Sequence, residues 1–137
     1  MMSFSATLAV ILGCLAPLAE TVRRWHTWRE DPAALLDDYL VGIFLLLGAW
    51  AVFQRWPSGQ RLLAAAWGFA SGLLYYSFFE QIRRYRIGEI DPGPIPSGVV
   101  VVIKGAGLLL AGAALVATLV AKYPFQKSPE TGRDDVT

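Results

Sequence analysis

Histidine and cysteine are almost missing from this chain, with one of each, His26 and Cys14, in 137 residues. A lone cysteine excludes an internal disulfide. A lone histidine cannot supply a bis-histidine haem, and no Cys/His cluster has metal-ligand spacing. A hydrolytic triad needs a histidine base, and no serine or cysteine is clearly brought to His26. Lying between Trp25 and Trp28 in an arginine-rich segment, His26 reads as a lipid-headgroup contact. A glycine-rich phosphate loop is also lacking. Gly68-Phe69-Ala70-Ser71-Gly72 sits inside an apolar run and reads as a packing motif, not a nucleophile elbow. Twelve Lys and Arg against eleven Asp and Glu leave a net charge of +1, so there is no electrostatic case for nucleic acid. The expectation is a protein that is not an enzyme and holds no cofactor or metal.

What the chain has instead is apolar length. It is 55% hydrophobic and 17% charged, with a mean hydropathy of +0.45; a soluble domain has apolar residues for just under about half its length and charges for about a quarter. The charges are segregated as well. Residues 1–19, 39–54 and 62–79 carry none, and residues 98–121 carry only Lys104. A bilayer core takes about 20 mainly apolar helical residues, and each stretch reaches that length with its flanks. The fold class is an all-α membrane protein of four transmembrane helices in an up-down bundle, with spans at about 4–20, 32–53, 60–80 and 97–122. Residues 1–123 form one transmembrane domain, and the polar tail 124–137 reads as disordered.

Local signals set the boundaries. Asp31 is a good N-cap before Pro32, whose missing N–H costs nothing at the first helical position. Trp56-Pro57-Ser58-Gly59 is a short polar turn. Pro92-Gly93-Pro94-Ile95-Pro96 cannot be helical in its interior, and Ser97 caps the helix that follows. Tryptophan and tyrosine mark the interfaces: Trp25, Trp28, Tyr39 and Tyr85 on the side of the two longer connectors, Trp50, Trp56 and Tyr123 on the side of the termini. Orientation stays open, because six cations flank the loop side (Arg23, Arg24, Arg29, Arg83, Arg84, Arg86) and five the terminal side (Arg55, Arg61, Lys122, Lys127, Arg133). A bacterial cytoplasmic membrane is the expected location.

A repeat runs at a spacing of 60. Glu20-Thr21-Val22-Arg23-Arg24-Trp25 matches Glu80-Gln81-Ile82-Arg83-Arg84-Tyr85, and Asp31-Pro32 matches Asp91-Pro92. One reading is a duplicated helical hairpin, the copies related by an axis along the membrane normal. The other is convergence, since helix ends favour cations, interfaces favour aromatics, and Asp-Pro is a common turn.

Helices associate in lipid through small residues that let backbones approach. Such residues mark one face of each span: Ala9, Gly13 and Ala16; Gly42 and Ala49; Ala64, Gly68 and Gly72; Gly107 and Ala111. Cys14 is read as a further packing residue. Extended toward the loop side, each face meets a charge, namely Glu20, Asp38, Glu80 and Lys104. Lys104 is the deepest, about 10 Å below Ser97 by helical rise. Intramembrane charges usually face the bundle and pair, so Lys104 is expected against Asp38 or Glu80, with Tyr76 as a possible hydrogen-bond donor and Ser71 and Ser77 nearby. The alternative is structural: Glu20 with Arg23 and Arg24, and Glu80 with Arg83 and Arg84, are ordinary i,i+3 and i,i+4 pairs, and Lys104 can snorkel.

The span count and small size are similar to those of small multidrug transporters. That family carries its acid inside the first helix, whereas Glu20 stands at the helix end, so no residue is carried across. Two functions remain in view: a non-catalytic accessory or structural subunit whose partners are the lipid bilayer and a second copy or larger membrane complex, and a proton- or ion-coupled transporter or channel using the charged cluster.

Overall fold

The computed structural model describes residues 2–23, 32–89 and 95–121. Four helices account for the regular structure there: α1 (Met2–Arg23), α2 (Pro32–Phe53), α3 (Gly59–Arg86) and α4 (Ser97–Val120). The expectations placed on Trp25, His26, Trp28, Tyr123, Asp31, Asp91 and the tail 124–137 lie outside the described residues. With 22, 22, 28 and 24 residues, the helices are about 33 to 42 Å long at 1.5 Å per residue, against a hydrocarbon layer of about 30 Å. All four are long and apolar enough to cross a membrane.

Contacts between helices establish the up-down order. The Ser5 hydroxyl near the start of α1 is 2.6 Å from that of Thr118 near the end of α4. Gln60, in the first turn of α3, donates through Nε2 to the carbonyls of Thr118 (2.7 Å) and Ala121 (2.8 Å). The start of α1, the turn between α2 and α3 and the end of α4 therefore share one end of the bundle. Around the ring, Gly13 of α1 meets Gly42 of α2, Gly48 of α2 meets Leu63 of α3, and Gly105 of α4 meets Phe78 of α3.

The interior is built of small side chains around one large one. Ala6, Ala9, Ala49, Ala66, Ala70, Ala111 and Ala114 are buried with Leu45, Leu63 and Trp67. The outer faces carry exposed Leu109, Val102, Leu119, Phe53 and Ile43, an apolar surface far beyond what a soluble monomer exposes. That inside-out economy fits lipid as the solvent, where close backbone approach drives association. The chain is a multi-pass helical membrane protein.

Two helix ends show how the turns are made. α3 runs past residue 80 to Arg86, because Glu80 bridges forward to Arg83 and Arg84 and sustains the helix beyond the apolar run. It stops at Gly88, φ +74°, where the Glu89 N–H reaches the Arg84 carbonyl and the Gly88 N–H the Tyr85 carbonyl; these are the two bonds of a Schellman motif. α2 ends by the same pattern, Trp56 N–H to Ala51 and Arg55 N–H to Val52. There the left-handed position is held by Arg55, φ +55°.

Candidate functional site

Lys104 lies on α4 in a stretch with no other charge, and its described contacts run to α3. The Lys104 ammonium donates to Ser77 Oγ at 2.8 Å and to Gln81 Oε1 at 3.5 Å. Ser77 and Gln81 are four residues apart, hence on one face of α3, and Gln81 is only 5% exposed. A Cβ built on Gly105 would stand 3.0 Å from the Phe78 ring, so it is the glycine beside Lys104 that lets α3 and α4 approach here. The described contacts form a seam that sets two neutral oxygens of α3 against the cation, at membrane depth.

Two members of the expected cluster, Glu80 and Tyr76, lie off this seam. Glu80 is one residue from Gln81, about 100° around the helix, and its carboxylate is held by its own helix. Oε1 takes the Arg83 Nη2 at 2.6 Å and the Arg84 Nε at 3.1 Å, while Oε2 takes the Arg83 Nε at 2.9 Å. Tyr76 is 70% exposed and points away from the seam. Glu20 and Asp38 are half-buried on α1 and α2. Ser71 Oγ is buried with no hydrogen-bond partner.

The small residues divide in the same way. Gly13 and Gly42 form a close crossing of α1 and α2: a Cβ on Gly42 would be 2.6 Å from both the Gly13 carbonyl oxygen and Pro17 Cγ. Pro17 lies inside α1 and has no N–H to give that carbonyl, so the oxygen is left free to face the Gly42 Cα, a weak Cα–H···O contact. Ala111 is buried, Ala64 half-buried, and Gly107 in ordinary contact with Leu74. Gly68 and Gly72 face out of the bundle. Both are exposed, and a Cβ on either would meet nothing within 4 Å. The stripe drifts outward because Trp67 and Ala70 take the inward positions of this part of α3. Cys14 is likewise exposed, since its neighbour Gly13 occupies the contact with α2.

A second polar group, absent from the sequence-based expectations, lies at the terminal end. Trp67 Nε1 of α3 donates to Ser5 Oγ of α1 at 2.9 Å, and Thr118 Oγ1 of α4 donates to the Ala114 carbonyl at 2.7 Å. Ser5 Oγ and Thr118 Oγ1 are 2.6 Å apart, either able to donate, and Ser5 Oγ also reaches the Ala114 carbonyl at 3.3 Å. One network thus joins an indole, two hydroxyls and a carbonyl across three helices, with Trp67, Ser5 and Thr118 all fully buried. The signal was present in Trp67, a tryptophan placed within an apolar span instead of at its interface, where the indole N–H needs a protein acceptor.

A serine within 2.8 Å of an amine meets the distance requirement for an activated nucleophile. Ser77, however, is in the interior of α3, where backbone N–H groups are consumed by i→i−4 bonds and offer no backbone oxyanion hole. Among the described residues no group of three or more His, Cys, Asp or Glu could hold a metal ion. Comparison with known protein families, with characterised proteins and with solved structures finds no match to this chain.

Proposed function

We propose that the chain is a non-catalytic accessory or structural subunit of a bacterial cytoplasmic membrane, associating through the outer face of α3 with a second copy or with another helical membrane protein. The observation that carries this reading is the open space over Gly68 and Gly72. Two glycines one turn apart lower helix stability by about 1 kcal/mol each relative to alanine in water, and nothing among the described residues uses the close approach they permit. A neighbouring helix would use it. The cation of the Lys104 seam is met by neutral groups of the adjacent helix, which suits a fixed interhelical fastening. Within a bacterial envelope, helical spans suit the inner membrane, because outer-membrane spans are closed barrels.

The test is purification in mild detergent with a pull-down. A stoichiometric partner, or a defined homo-oligomer, is expected for the unaltered chain and is lost in Gly68→Leu with its helical content retained. A monomer with no partner, in both forms, would sink the reading. A proton- or ion-coupled transporter is the second reading, favoured by Lys104, Ser77 and Gln81 meeting at membrane depth. It requires ion flux into liposomes that Lys104→Met abolishes.

A further inference from the structure

The loop-side end of α3 carries a feature used by neither the Lys104 seam nor the small-residue face. Phe79, Ile82, Arg83, Arg86 and Ile87 line an open groove of about 470 Å³. Their i, i+3, i+4, i+7, i+8 spacing places them on one side of the helix.

Depth follows from the arginines at the two ends of α3. Arg61 and Arg83 are 22 residues apart (83 − 61), about 33 Å by helical rise, close to the roughly 30 Å of a hydrocarbon layer. With Arg61 at one boundary, Arg83 stands at the other. Arg86 is then almost one turn further out, among the headgroups, while Phe79 and Ile82 remain at acyl-chain depth.

Charge follows the same gradient. Glu80 grips Arg83 through Nε and Nη2, fixing that guanidinium while leaving N–H donors of its five uncommitted. Arg84 is shared between Glu80 and Glu89, at 3.1 and 3.7 Å. Among the described residues Arg86 makes no ion pair. The groove is thus apolar at its inner end and cationic at its outer end, with one guanidinium pre-positioned and a second available.

We propose that this groove binds an anionic phospholipid, its phosphate between Arg83 and Arg86 and its acyl chain along Phe79 and Ile82. Arginine presents planar paired donors that match a phosphate, and the apolar inner end gives a reason for an amphiphile over a soluble anion. The proposal concerns a different part of α3 from the association face and does not depend on it.

The experiment uses the full chain with phosphatidylglycerol and phosphatidylcholine of matched acyl chains, and reads retained lipid by native mass spectrometry. Phosphatidylglycerol should be retained in preference to phosphatidylcholine. Arg86→Gln should lower that preference about five-fold, the weight of one interfacial cation on anionic lipid, while Arg86→Lys keeps most of it. Arg61→Gln, the same charge change at the opposite boundary, should leave it unaltered. Far-UV circular dichroism checks that each variant is folded. Equal retention of the two lipids, or equal losses in Arg86→Gln and Arg61→Gln, would overturn the proposal. So would displacement of the lipid by millimolar inorganic phosphate, which would assign the arginines to a free anion.

Discussion

Removing the Ser5 hydroxyl should damage the bundle through Trp67. In Ser5→Ala the indole N–H, now bonded at 2.9 Å, is left in a fully buried position with no acceptor, while Thr118 keeps its bond to Ala114. An orphaned buried donor costs about 1–3 kcal/mol. Hydrogen bonds between membrane helices average only about 0.6 kcal/mol, because the unfolded chain in lipid also finds partners. The lower end of the first range, about 1 kcal/mol, is therefore expected. Trp67→Phe alone also removes core volume, so a single substitution does not isolate the bond. The double-mutant cycle does. Ser5→Ala should cost about 1 kcal/mol less in the Trp67→Phe background than in the unaltered chain, since no donor is left to be orphaned. Unfolding in mixed micelles with rising dodecyl sulfate, followed by helical circular dichroism, reads all four variants without relying on Trp67 fluorescence. Additivity within about 0.3 kcal/mol would mean that the network carries no coupling and that Trp67 is there only for its volume.

Gly42→Ala should destabilise by about 1–3 kcal/mol in the same assay, an overpacking cost, because the new methyl meets the Gly13 carbonyl and the Pro17 ring at 2.6 Å; Gly68→Ala, with open space above it, should not destabilise the isolated chain. Arg55→Gly should stabilise by roughly 0.5–1 kcal/mol, since it relieves a left-handed conformation costing about 1–2 kcal/mol less the entropy of the added glycine; a loss of stability would show that the Arg55 side chain matters more than its backbone. Topology reporters fused at Ser58 and at the C-terminus should agree with each other and differ from one at Gly93, and agreement between Ser58 and Gly93 would exclude four spans.

Span number and order were legible because they rest on charge-free length and on turn residues, both of which are local. The face each helix presents inward was less so. Small-residue spacing marks which faces allow close approach, but it does not say whether the neighbour belongs to the same chain. It pointed to Gly13 and Gly42, which meet, and equally to Gly68 and Gly72, which meet nothing among the described residues. Gly48 and Gly59 could not be singled out, although a Cβ on Gly59 would be 2.8 Å from the Ala51 carbonyl oxygen. That contact arises from how the α2–α3 turn folds back, not from any periodicity. Glu80 shows a related limit. Glu80 satisfies its carboxylate within its own helix at i+3 and i+4, and this local pairing competes with any reach toward Lys104. The partners Lys104 has on α3, Ser77 and Gln81, are neutral, and a search for opposite charges does not rank them.

The repeat can be followed from sequence into geometry. Its register, fixed by the matching Glu-x-x-Arg-Arg segments 60 residues apart, pairs Pro17 with Ser77 and Thr21 with Gln81. In the first hairpin, Pro17 packs on Gly42 and Thr21 shares a hydrogen bond of 2.9 Å with the Tyr39 hydroxyl, so both face α2. In the second, Ser77 and Gln81 both accept from Lys104 and face α4. Equivalent positions thus point at the partner helix in both halves. Convergence at helix ends explains cations and aromatics at the interface, but it does not set the rotational phase of residues one and two turns deeper. A duplicated hairpin would produce such a shared phase. The halves then differ in what fills the shared face. Described contacts of the first are a proline on a glycine and a pair of hydroxyls. The second sets the Lys104 ammonium against two neutral side-chain oxygens of α3.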